Sequence, residues 1–143
     1  MWRDSHRKEK MSIYQWKFHT IPDPKAVEAF IDDQMPLFSR NADDLTGGDG
    51  TPVVDLMRVE HNCGVVNLEF QLNGVEGESG DVFCFPGYFP GDMDDEGNPL
   101  FNHCDTHGHF YRKIVEKILV RAQKVFDMEV TVNVKKQRQL YPA

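Results

Sequence analysis

The densest group of side chains that could do chemistry is a short segment with three histidines and one cysteine. His103, Cys104, His107 and His109 follow one another closely along the chain. Imidazole nitrogen and thiolate sulfur are ligands that Zn²⁺ prefers, and a catalytic zinc site has three protein ligands and one open position. One hypothesis is therefore a zinc-dependent hydrolase in which His103, His107 and His109 bind the metal. Cys104 or His61 would complete that site.

Helix geometry limits the zinc hypothesis. If residues 105–109 are helical, His107 and His109 point about 160° apart around the helix axis and cannot bind one ion. A loop conformation, which Gly108 permits, would be needed to bring them together. The alternative is an ordinary helix start with one half-buried histidine and two exposed ones, in which case the sequence indicates no cofactor.

Cys104 and His107 also form a candidate catalytic pair. The N-terminus of a helix lowers the pKa of a thiol and disfavours an imidazolium, so a thiolate and a neutral base could lie side by side there. The sequence shows no nucleophile elbow, oxyanion loop or third triad member to accompany them. In the alternative interpretation, Cys104 packs as a small apolar side chain ahead of the helix.

An acidic segment with aromatic neighbours is the second candidate site. Residues 92–97, DMDDEG, resemble the start of a calcium-binding loop, but the twelfth position, where such a loop has Glu, is His103. Rings beside carboxylates can instead form a protein-binding surface, because the rings anchor a partner and the charges steer it. The alternative is a solvated acidic loop with Phe83 or Phe85 pointing into the core. The residues predicted to bind a partner are Asp92, Asp94, Asp95, Glu96, Tyr88 and Phe89.

The negative charge of the chain is concentrated in its middle. The formal net charge is −7, yet residues 18–105 alone carry 18 acidic and 3 basic side chains. Both flanking segments, 1–17 and 106–143, are net positive. Because a negative surface repels phosphates, we expect no direct nucleic-acid binding and instead a protein partner with a basic surface. No run approaches the roughly 20 apolar residues of a membrane span, so no membrane partner is expected.

The length of 143 residues and the polar ends of the chain predict one domain with two tails. Residues 1–11 are predicted to be a flexible N-terminal tail, 12–136 a single α+β domain, and 137–143 a C-terminal tail. The first ten residues lack the apolar stretch of a secretory signal, and three cysteines match no disulfide framework. A cytoplasmic location is therefore expected.

The periodicity of apolar residues predicts five strands and two helices. The strands are expected at 12–21, 53–60, 65–72, 81–85 and 128–135, with a turn at 61–64. One helix is expected from Asp23–Pro24 to Pro36 and the other from Asp105 or Thr106 to about Phe126. The order β-α-β-β-β-α-β predicts an α+β two-layer sandwich, a mostly antiparallel five-stranded sheet with two helices on one face. It is similar in outline to a ferredoxin-like fold with an extra strand, an outline that many functions share.

Three functions remain open from the sequence. The one best supported is a small acidic cytosolic interaction module, an inhibitor or adaptor that presents its acidic and aromatic surface to a basic partner. By charge alone, this resembles small anti-restriction, anti-defence or immunity proteins, some of which imitate nucleic acid. The alternatives are the zinc-dependent hydrolase and a structural subunit of a larger assembly.

Overall fold

The described part of the chain contains seven strands and two helices. The computed structural model describes residues 13–47 and 56–132. The strands are β1 (Ile13–Phe18), β2 (Leu45–Thr46), β3 (Leu56–Glu60), β4 (Val66–Gly74), β5 (Phe83–Phe85), β6 (Asn102–Asp105) and β7 (Met128–Val132), and the helices are α1 (Pro24–Arg40) and α2 (Arg112–Val125). The predicted tails, and the predicted strand ends at residues 12, 53–55 and 133–135, lie outside the described residues.

Within residues 13–47 and 56–132, all strand pairs are antiparallel, and the strands form two sheets. The first sheet has the order β6-β1-β7, with Gln15 of β1 opposite His103 on one side and Thr131 on the other. The second has the order β2-β4-β3, and β5 also pairs with β4. Helix α1 packs on β4, helix α2 packs on β7, and the two helices contact each other.

The predicted α+β sandwich is confirmed, but the expected single five-stranded sheet is wrong in detail. Strands β2 and β6 were not predicted. Strand β2 has two residues, and the β6 sequence NHCD lacks the apolar alternation that marks a half-buried strand. Both strands form because neighbouring strands pair with them, which is tertiary information that local periodicity does not carry.

Helix α1 begins as predicted and continues past its predicted end. The Asp23 side chain accepts a hydrogen bond from the Lys25 backbone N–H, and Pro24 occupies the first turn. Pro36 does not end the helix, which runs on to Arg40. The last turn persists because Leu37 and Phe38 are buried in the core, so packing outweighs the hydrogen bond that proline removes.

Helix α2 begins at Arg112, six residues or more after the predicted start. Strand β6 continues to Asp105, which lies opposite Ile13 in β1. The chain then turns through His107 and Gly108, whose positive φ angles of 54° and 75° are incompatible with a right-handed helix. The histidine-rich segment is therefore a strand followed by a turn, and not the helix start that the sequence predicted.

Aromatic side chains dominate the core between the sheets and the helices. Phe85 of β5 lies 5.3 Å from Phe30 of α1 and 6.4 Å from Phe126 between ring centroids. Phe83 packs edge-on against Trp16, with 5.1 Å between the ring centroids. Both β5 phenylalanines are thus core residues, as one of the two interpretations of the sequence held. No helix in the described ranges is long and apolar enough to cross a membrane.

Candidate functional site

A buried carboxylate, Asp92, organises the covering loop, which we define as residues 86–101 between β5 and β6. Its Oδ2 accepts hydrogen bonds from the Phe89 backbone N–H at 2.7 Å and from Nδ1 of His61. Its Oδ1 accepts a further bond from the Asn62 backbone N–H at 2.9 Å. Burial by itself would raise the pKa of Asp92, but these hydrogen bonds outweigh it and hold the pKa below its usual value. The loop is therefore attached to the rest of the fold through an ionised carboxylate.

The β3–β4 hairpin positions the partner imidazole of Asp92. The predicted turn at residues 61–64 is present: the His61 backbone N–H donates to Val65 O, and the Gly64 N–H donates to His61 O. Gly64 has a φ of 82°, a conformation that glycine adopts without strain. His61 is 5% exposed and projects under the covering loop, because it lies on the hairpin face that this loop covers.

The same hairpin face carries two more buried polar side chains, Asn67 and Glu69. They alternate along β4 with Leu68 and Phe70, which point to the opposite, apolar face. Burial raises the pKa of Glu69, while the His61 side chain, the Gly87 backbone N–H and the Gln71 side chain oppose the shift. Sequence alternation placed these residues away from the core, which is right, but the covering loop shields them from bulk solvent.

The end of the covering loop is fastened by a second polar side chain, Asn102. Its amide exchanges two hydrogen bonds with the Tyr88 backbone, accepting from the N–H at 2.6 Å and donating to the carbonyl at 2.9 Å. Gly87 allows this approach, since a Cβ atom there would lie 2.2 Å from Asn102 Oδ1. Asp92 and Asn102 together hold the loop at two separate points.

The tip of the covering loop is an acidic hairpin, Met93–Pro99, held by a bridge between its two end residues. Asp94 shapes the tip: its Oδ1 accepts from the backbone N–H groups of Glu96 and Asn98, each at 2.9 Å. These hydrogen bonds, that of Asn98 above all, hold the pKa of Asp94 below its usual value. Asp94, Asp95 and Glu96 are exposed, so three acidic side chains project from a structured turn.

An aromatic groove with a volume of about 400 Å³ lies between the covering loop and the strands β1 and β7. Tyr88 and Phe101 line it from the loop side and are 44% and 78% exposed. Lys17 is the single basic residue among its described lining residues, and Glu129 lies opposite Lys17 in the strand register. The groove can therefore take up an apolar or aromatic group directly beside the acidic hairpin.

The structure does not bring the three predicted zinc ligands together. Each histidine faces a different carboxylate: His103 lies 3.5 Å from Asp81, His107 lies 3.6 Å from Asp105, and His109 lies 3.5 Å from Glu78, measured between side-chain nitrogen and oxygen. Across residues 13–47 and 56–132, no group of three or more His, Cys, Asp or Glu side chains is placed to hold a metal ion. His61, the proposed additional ligand, lies in the hairpin turn and bonds to Asp92.

The predicted nucleophilic pair of Cys104 and His107 is also separated. Cys104 is fully buried in β6, and its thiol approaches the Asp81 carbonyl at 3.5 Å, whereas His107 is exposed in the following turn. Burial raises the pKa of Cys104, the opposite of the lowering expected at a helix mouth. The expectation failed because Cys104 lies in strand β6 and not at the N-terminus of helix α2, which begins at Arg112.

Two of the six predicted partner-binding residues are not available to a partner as proposed. Asp92 and Phe89 are buried, because Asp92 holds the covering loop and Phe89 stacks on His61. Tyr88, Asp94, Asp95 and Glu96 are exposed. Phe101 is not among the six predicted residues, although it is one of the aromatic residues that flank the acidic segment in the sequence. It directly precedes β6, a strand that the sequence did not predict, so no local pattern placed it at the groove.

Comparison with known proteins identifies no relationship: no family model, curated protein or solved structure matches this chain.

Proposed function

We propose that this protein is a small cytosolic interaction module that binds a basic segment of a partner protein. The acidic hairpin attracts the partner's Lys and Arg residues, and the aromatic groove beside it binds an apolar side chain of the same segment. The observation that carries this proposal is Phe101, which is 78% exposed at the groove next to three exposed acidic residues. An inhibitor or an adaptor would both use such a surface.

The exposed aromatic side chains at the groove are suited to anchor the partner. Exposed apolar side chains that lie together mark interaction sites, and aromatic rings are enriched among the residues that contribute most to binding. Tyr88 is held in place by the two Asn102 hydrogen bonds to its backbone. A ring on a fixed backbone loses little conformational freedom when a partner covers it, which favours binding.

The exposed carboxylates of the acidic hairpin select for a basic partner. Asp94 is pinned by two backbone hydrogen bonds, so its neighbours Asp95 and Glu96 project from a fixed turn rather than from a mobile one. Exposed charges of this kind raise the association rate and reject acidic partners more than they add affinity. The Lys and Arg side chains of a basic segment are attracted to the carboxylates of the acidic hairpin, whereas an acidic or nucleic-acid ligand is repelled by them.

The proposal is tested by selecting binders from a random peptide library displayed on phage. We expect the enriched peptides to combine Lys or Arg with an apolar or aromatic residue. One enriched peptide is then synthesised, and its affinity is measured by fluorescence anisotropy at low and high salt. The triple substitution D94N/D95N/E96Q should weaken binding about tenfold at low salt and remove most of the salt dependence. Asn at position 94 keeps the oxygen that accepts the two backbone hydrogen bonds.

A matched control changes the same amount of charge elsewhere on the surface. D32N/D33N/D43N neutralises three exposed carboxylates outside the covering loop and should leave the affinity within about twofold. An enriched set without excess basic residues would count against the proposal. Equal losses of affinity in the two triple variants would also count against it. They would show that the peptide responds to the net charge of the protein and not to the acidic hairpin.

A further inference from the structure

Three polar atoms on the covered face of the β3–β4 hairpin have no hydrogen-bond partner within the described residues. They are Nε2 of His61 and both side-chain atoms of the Asn67 amide, Nδ2 and Oδ1. Asn67 is 1% exposed, so bulk water does not reach it. Most buried polar groups in folded proteins are hydrogen-bonded, and an unpaired one calls for a physical explanation.

The strand register places His61 and Asn67 on the same face of the hairpin. Val59 lies opposite Asn67, and the His61 backbone bonds to Val65, so His61 and Asn67 are diagonal neighbours on the same face of the hairpin. Glu69 follows on the same face, two residues further along β4. The three side chains thus form a polar row beneath the covering loop.

The unpaired hydrogen-bonding groups determine what the polar row can bind. Nδ1 of His61 faces the carboxylate of Asp92, so Nε2 is the ring nitrogen that remains for the polar row. The Asn67 amide adds one donating and one accepting group. A ligand that both donates and accepts hydrogen bonds satisfies the row, and water is the smallest such molecule.

We propose that the polar row is an internal water-binding site, in which water bridges His61 Nε2 and the Asn67 amide next to Glu69. Water both donates and accepts hydrogen bonds, so it can pair with His61 Nε2 and with both atoms of the Asn67 amide. Buried waters in proteins commonly make about three hydrogen bonds to polar groups that otherwise lack a partner. The same imidazole then bonds to Asp92 through Nδ1 and to water through Nε2. The water therefore helps to hold the covering loop on the hairpin. This inference is independent of the proposed partner.

Nuclear magnetic resonance on the unmodified, ¹⁵N-labelled protein tests the site. We expect Overhauser cross peaks between the water signal and the Asn67 side-chain NH₂, with the sign of a water that stays bound longer than the protein takes to tumble. Asn102 is the internal control, since it is also buried but its amide bonds directly to the Tyr88 backbone. It should show no such peaks.

Two outcomes would overturn the proposal. Water cross peaks missing at Asn67, as they are at Asn102, would mean that the row is dry. A coupling across a hydrogen bond between Asn67 Nδ2 and His61 Nε2 would mean that the two side chains bond directly and leave no place for water. Neither measurement requires a variant, so a folding defect cannot obscure the answer.

Discussion

The ring of His61 lies flat on the ring of Phe89, with 4.0 Å between the centroids and 14° between the planes. Both residues also bond to one carboxylate oxygen of Asp92, His61 through its side chain and Phe89 through its backbone N–H. The hairpin and the covering loop are therefore joined by stacking and by hydrogen bonds at the same place. Phe89 lines the aromatic groove, so this junction also fixes one wall of the proposed binding surface.

Replacing Asp92 by Asn should loosen the covering loop and destabilise the protein. The amide keeps one oxygen for the Asn62 N–H but turns an NH₂ group towards two donors, the Phe89 N–H and His61 Nδ1–H. Leaving buried donors unpaired costs on the order of 3 kcal/mol in total. Denaturant unfolding measures the loss, and hydrogen exchange should show faster exchange at Phe89 and Asn62. D95N, an exposed change two residues beyond Met93, should alter stability by less than about 0.5 kcal/mol.

Replacing Glu69 by Gln should change how stability depends on pH. The pKa of Glu69 is raised in the folded protein, so its contribution is fully present below the unfolded pKa and is lost as pH rises through the folded pKa. Gln cannot ionise and removes this loss. The free energy of unfolding of the variant, relative to the unmodified protein, should therefore improve as pH rises from about 4 towards neutrality. A constant difference between the two proteins across this range would show that Glu69 is not the titrating group.

The sequence predicted the elements whose pattern is local. The alternation of β4 and the Asp23–Pro24 helix start both appear in the structure as expected. Periodicity reports which side of an element is apolar, and it reports this without knowledge of the neighbours. The predicted polar side of β4, which includes Asn67 and Glu69, is indeed opposite the apolar core side.

The candidate site was not predictable in the same way, because its contacts join residues far apart in the chain. His61 and Asp92 are 31 positions apart, and no local pattern connects a hairpin turn to a long loop. The burial of Asp92 follows from that contact, so an acidic sequence alone suggested an exposed residue. The zinc site predicted in the histidine-rich segment failed for the opposite reason. Its three histidines are close in sequence, but the strand and the turn direct them to different carboxylates.

In the folded protein, an alkylating reagent should react with Cys63 much faster than with Cys84 or Cys104. Burial raises the pKa of Cys84 to about 11, and it raises the pKa of Cys104 as well, so both are thiols at neutral pH. Cys63 is exposed in the hairpin turn. Alkylation with iodoacetamide under native conditions, followed by mass spectrometry, should modify Cys63 first and the other two only after unfolding. Rapid modification of Cys104 would contradict its burial and revive it as a candidate nucleophile.

Phe101 and Phe89 line the same groove and should respond very differently to truncation. Phe101 is largely exposed, so Phe101→Ser should leave the free energy of unfolding within about 0.5 kcal/mol, while weakening a selected peptide about tenfold or more. Phe89 is buried against Phe18 and His61, and Phe89→Ser should cost about 3 kcal/mol or more. Denaturant unfolding and peptide anisotropy on the two variants provide both readouts. Because the Phe101 variant stays folded, weaker peptide binding by it reports on the lost ring and not on unfolding. Unchanged peptide binding would show that the Phe101 ring is not part of the binding surface.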